Sequence, residues 1–243
     1  HVLDAAFDEP NPRRLRRTRA IVIVREGRLI EERYASGFSA EMPLPGWSMT
    51  KSVTSALIGT LVGQGRVALA DKRLLLEWTT PGDGRAELSL EDLLRMRSGL
   101  RFSEVYDNPG SDVVQMLFNS PDTGAFAASR PMEAPAGEKW QYSSGTTNIL
   151  SLLARRAVGE RDYAGWPRRA LFNPLGMRSA VLEPDASGTF VGSSSLFACA
   201  RDWARLGQLY LQQGLWRGQQ VLPKGWTLFC ASPTPQSQND YGA

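Results

Sequence analysis

The stretch PGWSMTKSVTSALIGTLVGQG, Pro45 to Gly65, constrains the fold more than any other part of the chain. Behind Ser48, the residues Val53, Ala56, Leu57, Thr60 and Leu61 recur at helical spacing, so the run predicts a helix with Ser48 at its N-cap or in its first turn. The glycines at its far end read as a helix stop. Residues three apart lie on one helical face, which sets Lys51 beside Ser48. A serine hydroxyl is a weak nucleophile until a neighbouring base takes its proton, and this spacing supplies a lysine for that task.

The single histidine, His1, stands at the terminus of the sequence. A Ser-His-Asp triad, a Cys-His dyad and a His-Glu-x-x-His zinc site cannot be built from the residues given. Three rival motifs overlap the same region and fail on particular residues. Thr50 replaces the second glycine of a G-x-S-x-G elbow. Thr50 and Pro45 occupy glycine positions of a phosphate-binding loop, and GQGRVA at Gly63 to Ala68 ends a helix where a dinucleotide fingerprint would open one.

At 243 residues and 42% hydrophobic content, the chain can bury a substantial core, as one domain with an insertion or as two small domains. The net charge of +3 is small, and its basic excess rests on 24 arginines scattered through the sequence. The cluster RRLRR at Arg13 to Arg17, with Arg19 after it, reads as an exposed lead-in to a strand. No aromatic stacking groups or nucleic-acid module accompany it, so no nucleic-acid partner is expected. Cys199 and Cys230 read as free thiols without zinc-ligand neighbours, and neither a metal nor a cofactor is expected. No stretch approaches the ~20 apolar residues of a membrane span. The opening HVLDAAFDEPNP lacks the basic start and apolar run of a signal peptide, so the sequence reads as beginning inside a longer protein.

Residues 20–35, AIVIVREGRLIEERYA, are two β-rich runs broken at Glu26-Gly27 and predict a hairpin. In LSLEDLLRMRSGL, Ser89 is placed to cap a helix and Gly99 to stop it. From about Gly65 to Gly188 no alternating strand is legible, and the stretch reads as a helical insertion. Ser195 to Gly214 reads as one periodic helix ended by glycine, and the segment from Val221 as a shorter helix after a proline turn. The fold class expected is therefore α+β: residues 1–65 and 189–243 form a sheet domain, and residues 66–188 a helical domain.

A second stretch, PAGEKWQYSSGTTNILSLLARR, places Tyr142 and two serines in a turn before an amphipathic helix from about Thr147. With SMTK (Ser48 to Lys51), LLRMRSGL (Leu93 to Leu100) and NPLGM (Asn173 to Met177), it makes four motifs in order. Together they resemble the serine β-lactamase and penicillin-binding superfamily, in its class C β-lactamase, esterase and nylon-oligomer hydrolase branch. The resemblance covers most of the chain. It implies a β-lactamase-like fold, an antiparallel sheet flanked by helices plus a helical domain, with the active site between them. It also implies a periplasmic or extracytoplasmic location.

The resemblance further implies that Ser48 is the nucleophile, that Lys51 accepts its proton or holds Tyr142 in a proton-transferring state, and that Tyr142 passes a proton to the leaving group. A free lysine titrates near pH 10.4, so a lysine base at neutral pH must be desolvated; the N-terminal end of the helix also opposes its charge. Whether the amine or the phenolate is the base stays open at this level. Ser144 stands where class C β-lactamases carry an asparagine that contacts the antibiotic's side chain. As a substrate-binding residue it favours small esters or amides over lactams, with a β-lactamase, a D-alanyl peptidase or a non-turnover penicillin-binding sensor as alternatives. The family's third motif, Lys-Thr-Gly or His-x-Gly on a strand lining the site, is expected beyond NDYGA, which leaves the sheet incomplete at the C-terminus.

Overall fold

The computed structural model describes residues 2–243; His1, on which the histidine argument rests, lies outside them. In chain order the helices are α1 (Val2–Phe7), α2 (Thr50–Gly63), α3 (Leu90–Leu94), α4 (Asp112–Phe118), α5 (Thr123–Ala128), α6 (Ser144–Val158), α7 (Glu160–Tyr163), α8 (Asn173–Leu175), α9 (Ala200–Leu211) and α10 (Trp226–Ala231). The strands are β1 (Ala20–Arg25), β2 (Arg28–Tyr34), β3 (Leu44–Pro45), β4 (Val181–Leu182), β5 (Leu196–Ala198), β6 (Leu215–Trp216) and β7 (Gln219–Gln220).

The chemistry of the turn residues forms the hairpin. β1 and β2 pair antiparallel across Glu26-Gly27, whose φ angles of 52° and 75° are the left-handed pair that matches strand twist. Arg201 of α9 holds β2 through a two-pronged ion pair with Glu32, with Nε 2.7 Å from Oε2, and this hydrogen bonding keeps the Glu32 carboxyl below the usual range. The arginine cluster before β1 lies against α1. There the Arg16 and Arg17 amides both donate to the Glu9 carboxylate at 2.6 Å, and the Thr18 hydroxyl donates to the Ala6 carbonyl.

Among the described residues the strands make three antiparallel ladders, β1-β2, β3-β5-β4 and β6-β7, where one sheet was expected. A cavity of about 640 Å³, lined by Val22, Phe38, Leu44, Met49 and Trp203, lies between β1, β3 and α9. β4 also adds a short strand to a stretch that reads as wholly helical in sequence. Its two residues are too few for alternation to register.

Three helix boundaries differ from the sequence reading, each for a local reason. The helix expected over Ser195 to Gly214 begins at Ala200, because Leu196 and Ala198 turn inward on alternate positions of β5 and are fully buried. Ser89 does cap α3, in a reciprocal box with Asp92, but the helix ends at Leu94. Met96 takes a left-handed φ of 58° well before Gly99. The helix expected from Thr147 starts at Ser144, because the Ser143 hydroxyl accepts the Thr146 amide as N-cap at 3.1 Å.

α2 is buried from Thr50 to Leu61 at every position but Ser52, as a helix at the centre of a core must nearly be. It packs against α6, while Gly59 leaves room for the Trp226 indole, 2.6 Å from where a Cβ would stand. Gly145, the second residue of α6, plays the same part for Phe102, whose buried ring would lie 2.5 Å from an added Cβ. Gly145→Ala gains about 1 kcal/mol in helix propensity. Overpacking against a rigid buried ring costs about 1–3 kcal/mol, so the net change is expected to be destabilising. A denaturant midpoint equal to or above the parent's would refute the close packing of Phe102 on α6.

Candidate active site

Ser48 does not cap α2. It sits one step earlier, in a 3-10 turn over Trp47–Met49 that runs straight into the helix, and Trp47 adopts φ 44°. A left-handed angle at a non-glycine residue costs roughly 1–2 kcal/mol, and here it turns the Ser48 side chain outward, where the residue is exposed. Lys51, in the first turn of α2, is only 7% exposed.

Three separate segments converge on Lys51. Its Nζ lies 3.2 Å from Ser48 Oγ, 3.2 Å from Ser144 Oγ and 3.0 Å from the Ser193 carbonyl oxygen, and it stands 4.9 Å from the centroid of the Tyr142 ring. The Ser193 carbonyl is held in place from both helices. Asn148 of α6 accepts the Ser193 amide at 3.1 Å, and Thr54 of α2 donates to the Gly192 carbonyl at 2.8 Å. Ser144 is fully buried, with its amide donating to Glu104 Oε2 at 2.9 Å and its hydroxyl to Glu104 Oε1 at 2.5 Å. Tyr106, about half exposed, also donates to Glu104 Oε1, at 3.3 Å.

The structure therefore brings together all four residues singled out in the sequence, with Ser48, Tyr142 and Ser144 around the side-chain nitrogen of Lys51. Tyr142 arrives with its ring face toward Lys51, an arrangement that attracts a cation. Glu104 and Tyr106 were not legible in the sequence. They lie in an irregular loop between Phe102 and Ser111, where no helix or strand period marks a position.

A cavity of about 270 Å³ opens over Ser48 and Lys51, lined also by Ser52, Tyr142, Cys230 and Tyr241. Tyr241 meets Tyr142 edge to face with ring centroids 6.1 Å apart, and burial, with Tyr142 beside it, raises its phenol above the usual range. Burial likewise raises the Cys230 thiol, which makes it a poor thiolate nucleophile at neutral pH, and of the two serines on this wall Ser48 is the one hydrogen-bonded to Lys51 Nζ. The larger cavity beside β1 has no paired nucleophile and base among its lining residues, so chemistry and not volume marks the candidate site.

In its neutral form a lysine has two N–H bonds and one lone pair. With the two hydrogens taken by Ser144 Oγ and the Ser193 carbonyl, the lone pair is left to face Ser48. In the charged form all three hydrogens have acceptors. Among the described residues no group of three His, Cys, Asp or Glu side chains is placed to hold a metal, and no helix is long and apolar enough to cross a membrane.

The mixed helix-and-strand, β-lactamase-like fold of the chain is shared with solved structures. A Bacillus anthracis protein provisionally named a 6-aminohexanoate-dimer hydrolase superposes with a TM-score of 0.73 at 24% identity, covering 86% of this chain and 58% of its own. EstCE1, described as a hydrolase with promiscuous acyltransferase activity, gives 0.67 at 16% identity, covering 88% and 72%. The chain belongs to the Beta-lactamase family, whose model matches residues 3–242. In sequence it is 26% identical over 220 residues to the 6-aminohexanoate-dimer hydrolase of Paenarthrobacter ureafaciens, covering 86% of this chain and 56% of that relative. The chain thus spans a little over half the length of the curated relative it matches.

Proposed function

We propose that this chain carries the catalytic core of a serine hydrolase that works through an acyl-enzyme on small esters or amides. The observation that carries the reading is the 3.2 Å approach of a buried Lys51 Nζ to an exposed Ser48 Oγ at the floor of a cavity. Ser48 Oγ attacks the substrate carbonyl carbon as Lys51 takes its proton. The oxyanion that forms is favoured by the Ser48 amide and the positive end of α2. Collapse of this intermediate breaks the bond to the leaving alkoxide or amine, which receives the proton, and a water molecule repeats the sequence on the acyl-serine. The direct contact with Ser48 favours Lys51 as the base, and Tyr142, on the open side of Lys51, is suited to pass the proton to the leaving group.

Two features support esters or amides over lactams. Ser144 has no reach into the cavity, because its hydroxyl is engaged by Glu104 and Lys51. The curated relative, moreover, is named for hydrolysis of a 6-aminohexanoate dimer. The test is to measure turnover of p-nitrophenyl acetate and butyrate beside a chromogenic cephalosporin and a D-alanyl-D-alanine peptide. Sustained ester turnover after an acylation burst is expected, with slower lactam and peptide turnover. Faster lactam turnover would make the chain a β-lactamase. A stable adduct without product would make it a sensor.

A further inference from the structure

We infer that Glu104 is a positioning residue of this site, fixing the direction of the Ser144 hydroxyl and, through it, of Lys51 Nζ. The inference deepens the acyl-serine reading above and rests on it. A serine hydroxyl has one proton to give and two lone pairs to accept with, whereas a carboxylate only accepts. Glu104 Oε1, 2.5 Å from Ser144 Oγ, therefore claims the single proton, and the Ser144 lone pairs are turned toward Lys51 at 3.2 Å. Without that acceptor the Ser144 hydroxyl could rotate and donate to the Lys51 lone pair, in competition with Ser48.

The carboxylate is itself held firmly. Its second oxygen accepts the Ser144 amide at 2.9 Å, so it spans the first residue of the 15-residue α6, where the positive end of the helix favours a negative charge. Tyr106 adds a third donor at 3.3 Å, and Phe102, packed against Gly145, anchors the loop that presents Glu104. Glu104 is absent from the residues lining the cavity over Ser48, so its route to the chemistry runs through Ser144. The chain of contacts is Glu104 to Ser144 to Lys51 to Ser48, and it joins a loop with no secondary structure to the nucleophile.

The test is a double-mutant cycle on Glu104→Gln and Ser144→Ala, read by the rate of Ser48 labelling with a serine-directed phosphonate and by kcat and KM for p-nitrophenyl butyrate. Glutamine keeps the size and one oxygen for the Ser144 amide, but its NH₂ group can only donate toward the hydroxyl. Glu104→Gln is expected to lower kcat and labelling at least about 10-fold and up to about 10²-fold, with KM changed less than about 2-fold. In the Ser144→Ala background the same substitution should change labelling less than about 3-fold, because the hydroxyl it acts through is gone. Equal losses in both backgrounds, a change confined to KM, or no loss would each overturn the inference. If melting curves show Glu104→Gln unfolded, Glu104→Asp, which keeps the charge and withdraws it by one methylene, enters the same cycle with the same expected outcomes. A parent protein that is not labelled at Ser48 would instead sink the acyl-serine reading itself.

Discussion

Ser48→Ala is expected to lose ester turnover by a factor on the order of 10⁶ and to lose phosphonate labelling entirely, because Ser52, the other serine lining the cavity, makes no hydrogen bond with Lys51 Nζ. Ser144 is the other serine whose hydroxyl meets Lys51, but it is fully buried and its proton goes to Glu104. Ser48 is exposed on its turn, so removing its oxygen should shift stability by less than about 0.5 kcal/mol. The parent and mutant melting curves should then overlay. Full-stoichiometry labelling of the mutant would end the assignment of Ser48 as nucleophile.

The second large effect is expected at Lys51 and Tyr142. Lys51→Ala should lower kcat by at least about 10²-fold. It also leaves the Ser144 lone pairs and the Ser193 carbonyl without a donor in a buried place, at about 1–3 kcal/mol of stability, so Lys51→Met, which refills the volume, should be measured beside it. Tyr142→Phe separates two roles of one side chain. It keeps the ring face near Lys51 and removes only the hydroxyl, so a loss of at least about 10²-fold would come from proton transfer, whereas parent-like kcat would show that the ring alone matters. If lysine and tyrosine work as a unit, the double mutant should lose little more than the worse single mutant, and strictly additive losses would show two independent parts.

What could be read in the sequence follows from which interactions are local. Ser48 and Lys51 meet because three residues of helix bring them together, and the Glu26-Gly27 hairpin closes because its turn needs left-handed residues. The misplaced boundaries each have their own physical cause. Leu196 and Ala198 satisfy a strand period, yet they also continue the apolar pattern of the helix after them, and only pairing with β3 and β4 distinguishes the two. The start of α6 was set late because Ser143 and Ser144 read as part of a turn, when one of them is the cap itself. Glu104 belongs to a third kind of residue. Its meaning lies wholly in its distance from Ser144, 40 positions along the chain, and no local pattern encodes that.

Lys51 touches residues 93 and 142 positions away in sequence, yet its contact with Ser48 spans only three. The helices α2 and α6 can gain their backbone hydrogen bonds from short-range contacts, but the surroundings of the lysine exist only after two distant loops have closed on it. Loop closure of that length is the slow part of a folding reaction. On refolding from denaturant, far-ultraviolet circular dichroism is therefore expected to report the early, local events, while recovery of the phosphonate labelling proposed for Ser48 should mark the arrival of the last long-range contacts, which would make that serine a clock for the completion of the tertiary structure.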